Sequence, residues 1–154
     1  MASGSQVPKV FLYVFDPIGN RFHFWVKMEM AKCILIVDDS EQVRTSLRGM
    51  LEDDRAGLSV RCEEASDGRQ GITKALQLKP DLIVLDLSMP IMNGLDAAYD
   101  LKRLLPEVPI LMYTSHAEPS LQELASSVGI DKVIDKATPR GLLLAIRALL
   151  NLAA

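Results

Sequence analysis

The sequence predicts an α/β protein with a doubly wound, five-stranded parallel sheet in the strand order 2-1-3-4-5 and five helices. From residue 32 onward, short β-prone runs alternate with helical patterns. The first, third and fourth runs are apolar throughout, which is typical of central strands that are buried on both faces. The second run alternates between apolar and polar residues and the fifth is short, so both belong at the sheet edges. Right-handed crossovers then give this strand order.

Each element is predicted from the spacing of its apolar residues, which is continuous or alternating in a strand and three to four residues apart in a helix. The strands are predicted at residues 33–37, 58–65, 82–85, 109–113 and 133–134. The helices are predicted at residues 43–51, 72–76, 95–105, 121–128 and 139–150.

Capping and helix-breaking residues delimit the predicted helices. Ser40 is the predicted N-cap of the first helix, and Gly57 follows its predicted end. Pro80 stops the second helix, Gly129 closes the fourth, and Pro139 opens the last.

Residues 1–31 are predicted to be an N-terminal extension to a domain of residues 32–154. Six of the eight aromatic residues precede residue 26, so the composition changes sharply along the chain. The β-prone runs 10–15 and 21–26 flank Asp-Pro-Ile-Gly-Asn, which is turn chemistry. The extension is therefore either a β-hairpin or a leader that precedes a start at Met28 or Met30, and the sequence leaves both interpretations open.

The overall composition excludes several classes of protein. The chain is 49% hydrophobic and 24% charged, which is typical of a soluble globular protein rather than a disordered one. The net charge of −3 argues against general binding to nucleic acid or to anionic membranes. No run approaches the roughly 20 apolar residues that span a bilayer. Cys33 and Cys62 are too few for a disulfide framework, so we predict core cysteines on adjacent strands and a cytoplasmic location.

Polar side chains follow four of the predicted strands. They are Asp38 and Asp39 after the first strand, Asp86 after the third, Thr114 after the fourth and Lys136 after the fifth. Because the carboxyl ends of parallel strands meet at one edge of the sheet, these side chains should converge. Three carboxylates in one crevice need a raised pKa or a cation, and Mg²⁺ is the natural cation for oxygen ligands. With a lysine and a hydroxyl, this set suits phosphoryl transfer to a carboxylate.

These site positions and one loop occur in an order that is typical of a known family. They are Asp38-Asp39, Asp86, Met89-Pro90-Ile91-Met92-Asn93-Gly94, Thr114-Ser115 and Lys136. In this order and on these elements they resemble the receiver domain of two-component response regulators, over about residues 32–152. The resemblance implies a flavodoxin-like receiver fold. It also implies a regulator rather than an enzyme, which is phosphorylated in a Mg²⁺-dependent reaction and signals by a conformational change.

The resemblance assigns the phosphoacceptor and the metal site. Asp86 would accept the phosphoryl group and also bind Mg²⁺. Asp39 would be a direct ligand, Asp38 would act largely through water, and the backbone carbonyl of Ser88 would be a further ligand. Ser88 and His116 also occupy variable positions that, in the family, tune how fast the phosphoryl group is lost.

The resemblance also assigns roles on the last two strands. Lys136 would pair with Asp86 and later with the phosphoryl group, and Thr114 would move toward the phosphoryl oxygens. Two positions depart from the family pattern: Ala137 replaces the usual proline, and Val133 replaces the usual aromatic switch residue. An alanine peptide in the cis form costs about 2.5–4 kcal/mol, so we predict a trans bond between residues 136 and 137. Tyr113 is a candidate substitute for the missing aromatic residue.

The resemblance implies two kinds of protein partner. The phosphoryl donor would be a sensor histidine kinase or a histidine phosphotransfer protein. The signal would pass to a downstream protein target or to a missing output domain, through the face formed by the fourth helix, fifth strand and fifth helix. Only 18 residues follow Lys136, so we predict no output domain in this chain and no direct contact with nucleic acid or a membrane. Homodimerisation stays open.

Three other functions compete with this interpretation. A haloacid-dehalogenase-like phosphatase would have a second aspartate at position 88, where this chain has serine. A dinucleotide-binding enzyme would have a Gly-x-Gly-x-x-Gly loop after the first strand, where this chain has Asp-Asp-Ser. A receiver-like module that is never phosphorylated is the third, and the intact Asp86, Thr114 and Lys136 argue against it.

Overall fold

A computed structural model of the protein describes residues 9–15, 18, 21–27 and 31–152. The chain divides into two compact units, Met1–Ala31 and Lys32–Ala154. Within the first unit, β1 (Lys9–Phe15) and β2 (Arg21–Lys27) pair antiparallel, which is the hairpin arrangement. Most of the predicted turn, residues 16, 17, 19 and 20, lies outside the described residues, as do Met28 and Met30. The assignment of residues 1–31 as an extension stays a prediction.

The second unit contains the predicted parallel sheet with helices on both faces. Its described strands are β3 (Lys32–Val37), β4 (Val60–Ala65), β5 (Leu82–Leu85), β6 (Ile110–Thr114) and β7 (Lys132–Asp135). Its described helices are α1 (Glu41–Leu51), α2 (Gly68–Leu78), α3 (Gly94–Leu104), α4 (Pro119–Ser127) and α5 (Pro139–Leu149). The sheet order is β4-β3-β5-β6-β7, which is 2-1-3-4-5 when the strands of this unit are counted, so the predicted fold is confirmed.

Two hydrophobic clusters cover the two faces of the sheet, because successive side chains of a strand point to opposite faces. Leu35 and Ile83 face the cluster that contains α2, α3 and α4. Ile34 and Val84 face the cluster that contains α1 and α5. The apolar sequence of β3, β5 and β6 follows from this burial on both faces, and it leaves polar side chains only where each strand ends.

Both cysteines are buried on adjacent strands, as predicted. Burial, with Glu52 nearby, raises the pKa of the Cys62 thiol to about 12. The thiolate is the reactive form of cysteine, so Cys62 is a packing residue.

The helix boundaries show one confirmed cap and two errors of prediction. Ser40 caps α1, and its Oγ accepts a hydrogen bond from the Val43 amide at 3.4 Å. Gly57 does not follow α1, because a separate 3₁₀ turn (Asp54–Ala56) comes between them. The second helix begins earlier than predicted, because Asp67 caps α2 by accepting from the Gln70 amide. Leu76, predicted on the apolar stripe of this helix, is 44% exposed.

Among the described residues, no helix is long and apolar enough to cross a bilayer.

Candidate functional site

The carboxyl ends of β3 and β5 bring three aspartates together. Asp38 directly follows β3 and Asp86 directly follows β5, and these strands are neighbours in the sheet. The backbone amide of Asp86 donates to the Val37 carbonyl at 2.8 Å, which continues the sheet ladder to the site. Carboxylate oxygens of Asp38, Asp39 and Asp86 all lie within 4.8 Å of one another. Asp38 and Asp86 are buried, whereas Asp39 is exposed.

Lys136 reaches this cluster from the sheet edge, two strands away from β5. It follows β7, and its backbone amide donates to the Thr114 carbonyl at 3.0 Å. Its Nζ lies 2.7 Å from Asp38 Oδ2 and 3.3 Å from Asp86 Oδ1. The resemblance implied a pair with Asp86, and the structure places the ammonium group between both aspartates, closer to Asp38.

Burial and neighbouring charges shift the pKa values of this pair. Burial raises the pKa of Asp86 and the Asp38 charge adds to it, while Lys136 opposes the rise. Burial alone would lower the pKa of Lys136, but its hydrogen bond to Asp38 and the charge of Asp86 outweigh burial and raise it. Lys136 therefore stays cationic at neutral pH, and Asp86 ionises less readily than an exposed aspartate.

Thr114 lies at the same edge of the sheet. It is the last residue of β6, and β6 pairs with β5 so that Leu85 lies opposite Met112. Its buried hydroxyl accepts a hydrogen bond from the His116 amide at 3.2 Å. Within the described part of the chain, no hydrogen bond joins this hydroxyl to Asp86. Thr114 is therefore beside the acidic cluster, with its hydroxyl bound to the loop that precedes α4.

The loop between β5 and α3 passes close under Asp86. A Cβ at Gly94 would overlap the backbone carbonyl oxygen of Asp86, so only glycine fits at the start of this helix. Ile91 is the central residue of a tight turn in which the Met92 amide donates to the Pro90 carbonyl at 2.7 Å. Ser88 is an exposed residue of the same loop, and its role as a metal ligand stays a prediction.

The two departures from the family pattern have structural consequences. The described residues contain no cis peptide bond, so the predicted trans bond between Lys136 and Ala137 is confirmed. Val133 is half-buried in β7. Tyr113 is buried on β6, and its hydroxyl donates to the Lys136 carbonyl at 3.4 Å. An aromatic residue therefore contacts the lysine backbone, although it comes from the neighbouring strand.

Sequence reasoning missed Arg44, which holds the acidic loop, and Glu64, which holds Arg44. Arg44 Nη1 donates to the carbonyl oxygens of Asp38 at 2.8 Å and Asp39 at 3.2 Å. Arg44 Nε donates to Glu64 Oε2 at 3.0 Å. The position of Arg44 in the first turns of the predicted helix was the signal that could have identified it. A cation there interacts unfavourably with the helix dipole, which indicates that the arginine has a specific hydrogen-bond partner.

Comparison with known proteins identifies the family. Residues 34–147 match the family model described as the response regulator receiver domain. The chain belongs to this family. Receiver domains are signalling modules, and the five-stranded order and the acidic strand ends described above agree with that membership.

The curated relatives of this receiver domain include response regulators of staphylococci. The chain is 40% identical over 109 residues to response regulator protein VraR of Staphylococcus epidermidis, which covers 71% of this chain and 51% of that protein. It is also 40% identical over 105 residues to VraR of Staphylococcus aureus, covering 68% of this chain and 49% of that protein. The chain therefore spans about half the length of the curated relatives it matches.

Solved receiver structures share the fold. Chemotaxis protein CheY4 of Vibrio cholerae superposes with a TM-score of 0.71 at 28% identity, covering 77% of this chain and 98% of that chain. A LuxR-family two-component response regulator from Aurantimonas sp. superposes with a TM-score of 0.72 at 29% identity, covering 79% of this chain and 86% of that chain.

Proposed function

We propose that this receiver domain accepts a phosphoryl group on Asp86 in a Mg²⁺-dependent reaction and signals by changing its protein contacts. The observation that carries the proposal is the acidic cluster, in which three carboxylates lie within 4.8 Å and Lys136 bridges the two buried ones. No other group of metal-ligating side chains of this kind occurs in the described part of the chain.

The charge and chemistry of the cluster fit a magnesium ion. Three carboxylates and one ammonium group leave two negative charges, which a divalent cation neutralises. The donors are oxygens only, which Mg²⁺ prefers. Asp38, Asp39, Asp86 and the backbone carbonyl of Ser88 would hold the ion. When bound, Mg²⁺ would neutralise the carboxylates and the oxygens of the incoming phosphoryl group.

Asp86 is the nucleophile of the proposed reaction. One of its carboxylate oxygens would form a bond to phosphorus while the bond from phosphorus to the donor nitrogen breaks. The raised pKa of Asp86 indicates that its anion is poorly stabilised before transfer. Lys136 Nζ lies 3.3 Å from Asp86 Oδ1, so after transfer it could form an ion pair with the oxygens of the phosphoryl group. The Thr114 hydroxyl can leave the His116 amide and donate to the same oxygens.

The proposed partners follow from family membership. The donor would be a sensor histidine kinase or a histidine phosphotransfer protein in the cytoplasm, and the reaction would be a single transfer rather than enzymatic turnover. Movement of Thr114 and Lys136 would be transmitted to α4, β7 and α5, which follow these residues directly. This face would contact a protein target or an output domain. We propose no direct contact with nucleic acid or a membrane.

Phosphorylation by a small donor tests this function. The full chain is treated with acetyl phosphate and Mg²⁺, and the added phosphate is located by mass spectrometry. We expect one phosphate on Asp86 that is labile to alkali and to hydroxylamine, as an acyl phosphate is, and that is lost in Asp86→Asn and when EDTA removes the metal. Asp100→Asn is the matched control, since this α3 aspartate makes no hydrogen bond or ion pair within the described residues. Labelling that persists in Asp86→Asn, or that does not need a divalent cation, would contradict the proposal.

A further inference from the structure

We propose that Arg44 is a positioning residue for the acidic cluster, and that Glu64 orients its guanidinium group. Arg44 holds the backbone of Asp38 and Asp39 so that the Asp39 carboxylate faces the other two. The proposal rests on the proposed function in one respect, namely that the cation bound at this cluster is Mg²⁺.

The guanidinium group of Arg44 holds two consecutive carbonyl groups of the acidic loop. Arg44 lies in α1, immediately after the loop, and its side chain is 14% exposed. The same nitrogen, Nη1, donates to the Asp38 carbonyl at 2.8 Å and to the Asp39 carbonyl at 3.2 Å. These two contacts restrict the peptide groups on both sides of the Asp39 Cα, and therefore the direction of the Asp39 side chain.

Glu64 fixes the plane of this guanidinium group from β4. Its Oε2 accepts from Arg44 Nε at 3.0 Å, and its Oε1 lies 2.9 Å from Arg48 Nε. Because a guanidinium group is planar and rigid, holding Nε sets the direction in which Nη1 donates. A lysine has one nitrogen on a flexible chain and cannot contact both the carboxylate and the two carbonyls with a fixed geometry.

Asp39 depends on this contact more than Asp38 does. The Asp38 carboxylate has its own partners, since Oδ1 accepts from the Ser40 amide at 2.9 Å and Oδ2 pairs with Lys136. The exposed Asp39 carboxylate makes no hydrogen bond or ion pair within the described residues. Its place near Asp38 and Asp86 is therefore set by the backbone, which Arg44 holds.

Charge and position predict opposite effects of removing Arg44. A cation beside a metal site repels the metal, so loss of the Arg44 charge alone would tighten Mg²⁺ binding. Loss of the contacts to the two carbonyls would release the Asp39 carboxylate and weaken Mg²⁺ binding. The sign of the change in Mg²⁺ affinity therefore distinguishes the effect of the Arg44 charge from the effect of its contacts to the two carbonyls.

The test measures Mg²⁺ affinity of the full chain by isothermal titration calorimetry, together with amide hydrogen exchange of the metal-free protein. We expect Arg44→Gln to weaken Mg²⁺ binding roughly tenfold, the usual effect of losing a residue that orients a ligand. Arg44→Lys, which keeps the charge, should not restore the affinity. Exchange at the Ser40 amide, which donates to Asp38 Oδ1, should be faster in both variants. Arg61→Gln is the matched control, because Arg61 of β4 pairs with Glu63 and, among the described contacts, with neither Glu64 nor the two carbonyls, and it should leave both measurements unchanged.

Unchanged or tighter Mg²⁺ binding by a folded Arg44→Gln variant would overturn the proposal. If that variant does not fold, Glu64→Leu carries the test, because leucine has no acceptor for Arg44 Nε while Arg44 keeps its own donors to the two carbonyls. A smaller loss of affinity with faster exchange at the Ser40 amide is expected there. Unchanged exchange would overturn the proposal, because loss of the Glu64 charge alone would weaken Mg²⁺ binding without releasing the loop. Failure of the proposed function is a separate result, since the wild type would then bind no Mg²⁺ or carry no phosphate on Asp86. The exchange measurement would still report whether Arg44 holds the loop.

Discussion

At the scale of single residues, Asp86 is 6% exposed, and burial together with the Asp38 charge opposes its ionisation. Lys136 compensates only in part, because it lies closer to Asp38 than to Asp86. An ionised carboxylate that is buried and lies beside a second carboxylate lowers the stability of the folded state. The same residue is thus well placed for reaction and unfavourable for stability.

We predict that Asp86→Asn stabilises the metal-free protein at neutral pH. The pKa of Asp86 is higher in the folded than in the unfolded protein. The contribution of Asp86 to the free energy of unfolding is therefore fully present below the ordinary aspartate pKa. It is lost as the pH rises through the folded-state pKa, because the ionised carboxylate is disfavoured in the folded protein. Asparagine removes that loss, and we expect a higher free energy of unfolding at pH 7, with a gain that shrinks toward pH 4. Urea unfolding in EDTA at both pH values measures it. A variant less stable at pH 7 would mean that the pair with Lys136 outweighs burial.

Ile91 adopts a backbone conformation that suits its side chain poorly. Its φ is +69°, and its side chain is 75% exposed, so little packing compensates for the strain. A β-branched residue at positive φ is unusual, because the branched Cβ crowds the neighbouring carbonyl.

We predict that Ile91→Asn stabilises the protein by about 1 kcal/mol, since asparagine tolerates positive φ. Ile91→Val, which keeps the branched Cβ, should leave the free energy of unfolding nearly unchanged. Thermal or urea unfolding of the two variants measures the difference. Equal stability of the asparagine and valine variants would show that the turn is not strained.

At the scale of elements, the N-terminus of α3 supports the end of β5. Gly94 is the first residue of α3, and its amide donates to the Leu87 carbonyl at 2.8 Å. The absence of a Cβ lets this helix approach the backbone of Asp86. The glycine of the Met-Pro-Ile-Met-Asn-Gly motif therefore has a structural role, which is to bring the helix against the strand that carries Asp86.

We predict that Gly94→Ala destabilises the protein by about 2 kcal/mol or more, because the new methyl group meets rigid backbone. Gly49→Ala is the matched control. A Cβ at Gly49 of α1 would meet no atom within 4 Å beyond its chain neighbours and the backbone of its own helix, so alanine there should stabilise the helix by roughly 0.5–1 kcal/mol. Urea unfolding gives both values. A Gly94→Ala variant as stable as the wild type would contradict the close approach of α3 to β5.

At the scale of the whole molecule, the sheet joins residues that are far apart in the chain. Lys136 and Asp38 are 98 positions apart, yet the carboxyl ends of β3 and β7 place them in one ion pair. All the members of both hydrophobic clusters that the structure describes belong to residues 32–152. The site and the core that supports it are therefore properties of residues 32–152.

We predict that residues 32–154 fold without residues 1–31. Because the described members of both clusters lie in residues 32–152, the shortened chain should unfold in one cooperative transition. Circular dichroism during urea unfolding measures this transition. A shortened chain without a cooperative transition would contradict the prediction.

The sequence by itself determined the fold and the candidate site residues. The apolar runs at 34–37 and 82–85 are local patterns that identify central strands, and the order of the strands follows from which runs are apolar. Asp38, Asp86 and Lys136 could be placed at one edge because each directly follows a strand. Helix ends were harder to predict, since Gly57 closes a short 3₁₀ turn whose capping aspartate competes with α1.

Only the tertiary structure decided how the site is held together. The sharing of Lys136 between Asp38 and Asp86, the contact of Tyr113 with the Lys136 carbonyl, and the contact of Arg44 with the acidic loop all depend on distances between separate elements. Sequence spacing determines which face or end of an element a residue occupies. It does not determine the ångström-scale separation of side chains on different elements, which results from how the helices pack on the twisted sheet.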